Sequence, residues 1–266
     1  MNEDMIIGDL PPAHPAATLV LFRDRVGEPP EILMVERSKG MRFAGGAIVF
    51  PGGRVDDDDH VIAAAMDHPF DADCAAARVA AIRETIEESG IPIGVLGAVS
   101  HGWLDGTRAA LHAHRPFSAL LADGGLSLDL HALVPFARWR PKHQEARVFD
   151  TRFYIAKAPD NLPIAVVDAT ENVRTFWESA SGAIELEKQG KVKVIYPTMR
   201  NLERLALFED YAQAEAHSIS IPVQMISPHI EKRADGAYLC IPADAGYPVT
   251  AERLDTAITA VCVKAD

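Results

Sequence analysis

Short apolar blocks dominate the first part of the chain. Residues 17–22 and 31–35 are mostly apolar, and Gly27-Glu28-Pro29-Pro30 lies between them. Apolar blocks of this length that are bounded by glycine and proline predict buried strands, here joined as a hairpin. Residues 47–50 predict a third strand, which ends at Pro51-Gly52-Gly53.

Further along the chain the apolar residues take up helical spacing. Residues 73–89 are rich in alanine, and Gly90 stands where a helix C-terminal cap is expected. By the same pattern, helices are predicted at 107–122, 128–133, 179–188 and 198–217. Strands are predicted at 152–156 and 165–167, and the tail, 218–266, predicts an extension of short strands and loops.

Charge excludes some classes of partner. The net charge is −12, which disfavours a nucleic-acid or membrane surface because both recruit basic patches. A small anionic substrate stays compatible with this charge, because divalent cations in a carboxylate pocket reverse the local sign. The acidic run at 56–59 predicts a solvated loop, as runs of like charge usually do.

The remaining composition is that of a soluble globular protein, with 48% apolar and 24% charged residues. No apolar run approaches the roughly 20 residues that span a bilayer. Residues 1–10 lack the basic and apolar stretches of a signal peptide, so a cytoplasmic location is expected. Cys74, Cys240 and Cys262 are widely separated, which favours reduced thiols over disulfides or a zinc site.

The predicted helix at 73–89 carries a cluster of acids. At about 100° per residue, the side chains of Glu84, Glu87 and Glu88 share about 100° of its surface. The apolar residues Val79, Ile82 and Ile86 fall on the opposite face. Carboxylates at this spacing repel one another, and hard divalent cations would neutralise them. A solvated acidic face is the alternative interpretation of the spacing alone.

Together with Gly53, the segment Arg83-Glu84-Thr85-Ile86-Glu87-Glu88-Ser89-Gly90-Ile91 resembles the Nudix box, G-x5-E-x7-R-E-U-x-E-E-x-G-U, where U is apolar. Gly53 matches the first glycine, and Arg83, Glu84, Glu87, Glu88 and Gly90 match the second half. The resemblance implies an α+β Nudix fold, with a mixed sheet sandwiched between helices.

Two positions depart from the box. Thr85 replaces an apolar residue, and 30 residues separate Gly53 from Arg83 where the box has 14. Counting forward from Gly53 places Asp59 at the middle glutamate, whereas counting back from Arg83 places Ala75 there. The middle glutamate is therefore expected to be missing or replaced by an aspartate such as Asp73.

The resemblance implies hydrolysis of a nucleoside diphosphate derivative by water attack on phosphorus. Glu84, Glu87 and Glu88, with Gly53, would hold Mg²⁺ or Mn²⁺, and Arg83 would orient the glutamates. The general base would be Glu84 or Glu171, a glutamate from a later loop. Gly52 and Gly53 would let the backbone approach the diphosphate, because they carry no Cβ.

The segment Arg37-Ser38-x3-Arg42-x3-Gly46-x3-Phe50-Pro51-Gly52-Gly53 resembles the signature of coenzyme A (CoA) diphosphatases, and Val35 departs from it. Arg37 and Arg42 would then bind the 3′-phosphate and diphosphate of CoA, although surface ion pairs are the alternative role. The longer box, the helical segment after it and Phe149-Asp150-Thr151-Arg152-Phe153-Tyr154 are similar to the larger branch that hydrolyses CoA and acyl-CoA.

Other functions stay open. ADP-ribose, NADH or another dinucleotide is the alternative substrate, and a non-catalytic ligand-sensing or interaction module is the alternative class. A Nudix domain is predicted at 10–217, with inserts at about 57–72 and 100–135, followed by a C-terminal extension at 218–266 that packs on the core. The apolar residues of the second insert favour packing over a lid. Family members are often dimers, so the resemblance also allows a homodimer.

Overall fold

The computed structural model describes residues 13–40, 44–141, 148–159 and 172–254. The strands are β1 (Ala13–Arg25), β2 (Glu28–Arg37), β3 (Ala47–Val49), β4 (Gly52–Arg54), β5 (Val95–Leu96), β6 (Ser127–Leu128), β7 (Val134–Trp139), β8 (Val148–Lys157), β9 (Asn172–Ser179), β10 (Lys193–Val194), β11 (Met225–Ile226), β12 (His229–Arg233), β13 (Gly236–Cys240) and β14 (Ala251–Arg253). The helices are α1 (Asp57–Ala64), α2 (Ala72–Ser89), α3 (His101–His112), α4 (Phe117–Gly124), α5 (Ala180–Lys188), α6 (Tyr196–Leu205) and α7 (Tyr211–Ser220).

A mixed sheet, to which nine strands of the described residues contribute, is the centre of the molecule. Its main path runs β10-β3-β2-β1-β8-β7-β11, while β4 pairs with β1 and β9 pairs with β2. The β1–β2 hairpin is antiparallel, as predicted, and β1 and β8 pair in parallel. The prolines that were expected in the hairpin turn lie at the start of β2 instead, where a missing N–H is tolerated.

Alternate residues of β1 face two different layers, as the twofold repeat of a strand requires. Leu19 and Leu21 belong to the core with the apolar face of α2, and Val20 and Phe22 belong to the core with α6. Both faces of the sheet are therefore covered by helices. This confirms the α+β sandwich.

The long helix α2 matches its prediction closely. The Asp71 side chain accepts a hydrogen bond from the backbone N–H of Cys74 and caps the first turn. Gly90 ends the helix with φ at 73°, a conformation that favours glycine. Val79, Ile82 and Ile86 are all fully buried, as expected of the apolar face.

Four predictions of local structure are wrong. The short helix predicted at 128–133 is instead the end of β6 followed by a single 3-10 turn, Leu130–Ala132. The acidic run is not a solvated loop, because residues from Asp57 onward form α1 and Asp59 is fully buried. The helix predicted at 107–122 is two helices, α3 and α4, separated by a turn in which His114 has φ at 58° and Pro116 precedes α4. The helix predicted at 198–217 is also two, because Asp210 caps a new helix, α7. The predicted strand at 165–167 lies outside the described residues.

The two expected inserts contact each other. Helix α1 lies within the first, at about 57–72, and α4 lies within the second, at about 100–135. The Asp58 carboxylate accepts hydrogen bonds from the Ser118 backbone N–H at 2.8 Å and hydroxyl at 2.6 Å. This contact at the start of α4 joins the two inserts.

The segment after residue 217 contributes to the main sheet and adds a second one. Strand β11 pairs with β7, and β12, β13 and β14 form a three-stranded antiparallel sheet. Cys74 and Cys240 carry free thiols, and Cys262 lies outside the described residues. Within the described ranges, no helix has the length and apolarity needed to cross a membrane.

Candidate active site

A cavity of about 1130 Å³ opens beside α2 and the β3–β4 turn. Its walls include most of the site residues expected from the sequence, namely Arg37, Gly52, Gly53, Arg83, Glu84, Glu87 and Glu88. Strands β2 and β4 and helix α2 therefore bring them together. The predictions for Arg42 and Glu171 lie outside the described residues.

The glycine turn lies directly against the acids of α2. The Gly52 backbone N–H donates a hydrogen bond to Glu88 Oε2 at 2.9 Å. A Cβ on Gly53 would lie 2.7 Å from Glu84 Oε2, and a Cβ on Gly52 would lie 2.5 Å from the Ala17 carbonyl oxygen of β1. Both distances are shorter than atoms tolerate, so a Cβ on Gly52 would force the backbone of β1 to move, whereas a Cβ on Gly53 would displace the Glu84 side chain.

Alanine substitutions should separate these two roles. Gly53→Ala displaces the Glu84 carboxylate, so we expect kcat to fall about 100-fold with the fold retained. Gly52→Ala presses on the backbone of β1 and should cost about 1–3 kcal/mol of stability. Denaturant unfolding and steady-state kinetics on both variants measure the two effects. A Gly53→Ala enzyme with unchanged kcat would contradict the assigned role.

Arg83 donates hydrogen bonds to several groups of the acidic site. Its Nη1 donates to Glu84 Oε1 at 2.8 Å, and its Nη2 donates to the Arg54 carbonyl oxygen at 2.9 Å. Burial opposes its charge, but the carboxylates of Glu84 and Asp59 raise the pKa of Arg83 above its usual value. Arg83 is therefore a fixed cation that orients carboxylates.

Asp59, which lies at the middle-glutamate position when counted forward from Gly53, is paired with Arg83. Its Oδ1 and Oδ2 accept hydrogen bonds from Arg83 Nε at 3.0 Å and Nη2 at 2.9 Å, a bidentate pair inside the protein. Asp73 does not replace it, because Asp73 is exposed in the first turn of α2. The position reached by counting forward from Gly53 is therefore the one that holds the acid paired with Arg83.

The buried Glu88 and the half-buried Glu84 form a mutually repelling pair. Burial raises the pKa of Glu88 to about 8, and the Glu84 carboxylate adds to the increase. Burial likewise raises the pKa of Glu84 to about 7, with the Arg83 charge opposing and Glu87 adding. Two acids held together at this cost create a site that a cation would stabilise.

Glu87 contacts helix α3 as well as Arg83. Its Oε1 lies 3.1 Å from His112 Nδ1 of α3, and its Oε2 lies 3.7 Å from Arg83 Nη1. Among the residues that the structure describes, no three acidic, histidine or cysteine side chains converge as a metal ion would require. The oxygens of Glu84 and Glu88 still fit a hard divalent ion, because Mg²⁺ commonly binds one or two carboxylates and completes its shell with water and substrate phosphates.

Asn172 is a residue of this site that the sequence did not indicate. Its Nδ2 donates to Glu88 Oε1 at 3.1 Å, while its buried Oδ1 has no hydrogen-bond partner among the residues that the structure describes. Arg37 is the residue opposite Asn172 in the β2–β9 pairing, at a register shift. The charge of Arg37 also lowers the pKa of Glu88. Asn172 was not predicted because strand β9, whose pairing with β2 places Asn172 beside Arg37, was not predicted from the sequence.

Known proteins resemble this chain in sequence and structure. Acyl-coenzyme A diphosphatase NUDT19 of Xenopus laevis is 25% identical over 287 aligned positions, which cover 87% of this chain and 75% of that protein. The crystal structure of a NUDIX hydrolase from Alicyclobacillus acidocaldarius superposes with a TM-score of 0.66 at 28% identity, covering 77% of this chain and 96% of the other. No protein-family model matches the sequence.

Proposed function

This chain belongs to the Nudix hydrolase superfamily and is a Nudix pyrophosphohydrolase, and we propose that it cleaves the diphosphate of CoA or an acyl-CoA. The products would be 3′,5′-ADP and a 4′-phosphopantetheine, with or without the acyl group. The observation that carries this proposal is Arg37, which lines the same cavity as the acids of α2. Arg37 begins the segment that resembles the CoA diphosphatase signature.

Two further observations support this substrate class. The relative from Xenopus laevis is an acyl-coenzyme A diphosphatase. The cavity, at about 1130 Å³, exceeds the roughly 300–1,000 Å³ of most small-ligand sites. A substrate of this size would fill it better than a nucleotide alone would. Arg42, which lies outside the described residues, is proposed as the second arginine that contacts the substrate phosphates.

The reaction proposed is an in-line displacement on phosphorus. A bond forms between the water oxygen and one phosphorus, and the bridging P–O bond breaks, with its electron pair leaving on the other phosphate. When bound, a divalent ion, Mg²⁺ or Mn²⁺, neutralises charge on the diphosphate and lowers the pKa of water. Glu84 and Glu88 are the residues proposed to hold it, with Glu87 and Gly53 completing the predicted set.

The protein's own groups position the reactants. Arg83 holds the Glu84 carboxylate, and the Gly52 N–H and Asn172 amide hold that of Glu88. The proton of the attacking water would pass to Glu84 or to Glu171. The kcat of Glu171→Gln separates the two candidates: a nearly unchanged kcat would leave Glu84 as the base, whereas a large loss of kcat with unchanged metal affinity would assign the role to Glu171.

A substrate panel tests the proposed function. We expect kcat/KM for CoA or an acyl-CoA to exceed that for ADP-ribose and NADH by at least about tenfold, a difference of about 1.4 kcal/mol in transition-state binding. Hydrolysis is measured with Mg²⁺ and with Mn²⁺, and EDTA is the control. Faster turnover of ADP-ribose than of CoA would replace the CoA proposal. Binding of these nucleotides without any turnover would favour a sensing module.

A further inference from the structure

One end of the cavity is walled by aromatic side chains. This aromatic wall consists of Trp139 on β7, Phe149 and Phe153 on β8, and Tyr196 at the start of α6. Phe149 and Phe153 are four positions apart on β8, so both face the same side of the sheet. Phe149 is half-buried at the start of β8, whereas the other three are buried.

The polar atoms of the aromatic wall form hydrogen bonds with other groups of the protein. The indole N–H of Trp139 donates to Tyr247 Oη at 3.0 Å, and that hydroxyl donates to Asn201 Oδ1 at 2.7 Å. The hydroxyl of Tyr196 donates to the Leu239 carbonyl oxygen at 3.3 Å. Because these donors are bonded within the protein, the wall offers apolar surface to a ligand.

The C-terminal extension builds part of this end of the cavity. Leu239 on β13 and Pro228 just before β12 line it, beside the aromatic wall. Tyr247 and the Leu239 carbonyl, which fix Trp139 and Tyr196, also belong to the extension. The extension therefore helps to shape the cavity as well as covering the core.

Strand register locates the wall relative to the glycine turn. Gly52 is opposite Thr18 in the β1–β4 pair, and Thr18 is opposite Phe153 in the β1–β8 pair. Two strand spacings, about 10 Å, therefore separate Gly52 from Phe153. Arg37 ends β2, on the other side of β1 from β8. The cavity thus has a cationic side and an apolar side, with the glycine turn between them.

We propose that the substrate lies across the sheet, with its 3′-phosphoadenosine end toward Arg37 and its pantetheine arm against the aromatic wall. This inference rests on the proposed function and adds an orientation to it. The adenosine end carries an anionic phosphate and a base edge that needs hydrogen bonds, and the apolar wall would leave both unpaired. The pantetheine arm is uncharged, and its methyl and methylene groups gain from burial against the wall, while its amides and hydroxyl need polar partners elsewhere in the cavity.

The two product fragments, 3′,5′-ADP and 4′-phosphopantetheine, test each end separately. Their binding is measured by calorimetry with Mg²⁺ on the full chain. We expect Phe149→Ala to weaken 4′-phosphopantetheine about tenfold and to leave 3′,5′-ADP unchanged, because a Phe side chain contributes that much apolar burial. Arg37→Ala should do the reverse. Phe149→Leu should weaken the binding of 4′-phosphopantetheine by about threefold. This second variant can replace Phe149→Ala if the alanine protein folds poorly.

Phe176→Ala is the matched control, because Phe176 is a half-buried aromatic on β9 that does not line the cavity. It should leave both affinities unchanged. Selective loss of 3′,5′-ADP in the Phe149 variants would reverse the orientation, and equal affinities in all variants would also overturn it. If the wild-type protein cleaves CoA in either case, the proposed function stands while this inference fails. A wild-type protein that binds neither fragment and does not cleave CoA would overturn both.

Discussion

Replacing Glu88 by glutamine is expected to lower kcat by about 10³-fold while making the metal-free protein more stable. The activity falls because the change removes the charge proposed to hold the ion that stabilises the transition state. Glutamine has nearly the same shape, so its amide oxygen can still accept the Gly52 N–H bond. Steady-state kinetics with saturating Mg²⁺ and metal titration by calorimetry measure the loss.

The gain in stability follows from the raised pKa values of the acid pair. Burial raises the pKa of Glu88 to about 8 from an ordinary value of 4.5, so the unfolded chain loses this proton first as the pH rises. Without metal, the free energy of unfolding should therefore fall between about pH 4.5 and 8. Glu88→Gln should flatten most of this decline in denaturant titrations with EDTA, and added Mg²⁺ should reverse it in the wild type.

Glu187→Gln is the control for removing a buried carboxylate elsewhere. Burial raises the pKa of Glu187 as well, but it lies on α5 and does not line the cavity. The kcat of the Glu187→Gln variant should stay within about threefold of the wild-type value. A Glu88→Gln enzyme that kept more than a tenth of the wild-type kcat would exclude Glu88 as an essential metal ligand.

Much of the fold could be predicted because the strongest local patterns agree with the tertiary structure. The continuous apolar block of β1 is buried on both faces of the sheet, and α2 has both its cap residues and its apolar face. The two long helices predicted at 107–122 and 198–217 were wrong because apolar spacing continues across each break. His114 and Asp210 set those breaks through backbone conformation and capping, which are weaker signals than apolar spacing.

The candidate site was predictable where its residues are adjacent in sequence. Glu84, Glu87 and Glu88 share one helix, so spacing alone places them on one face. Asp59 and Asn172 reach the same site through contacts with residues 24 and 84 positions away. An acidic run is ordinarily solvated, and only the tertiary position of α1 distinguishes Asp59 from its exposed neighbour Asp57.

Asp59→Ala should destabilise the protein by about 3–5 kcal/mol, because it leaves the buried charge of Arg83 without its bidentate partner. Asp59 Oδ2 also accepts the Asp56 N–H at 2.8 Å, so the start of α1 loses a cap. Denaturant unfolding measures this loss. Kinetics should show kcat reduced by about 10–100-fold even in Asp59→Asn, since Arg83 would no longer hold Glu84 in place.

A double-mutant cycle separates the ion pair from general damage to α1. Removing Arg83 as well, in Asp59→Ala with Arg83→Met, should cost less than the sum of the single changes, because no unpaired charge remains. Asp57→Asn, on the exposed side of the same turn, should change stability by less than about 0.5 kcal/mol. If Asp59→Ala cost under about 1 kcal/mol, or if the two changes were additive, the pair would not be what secures Arg83. Arg83 would then have to be held in place by its other contacts, the Arg54 carbonyl and the carboxylates of Asp56 and Glu87.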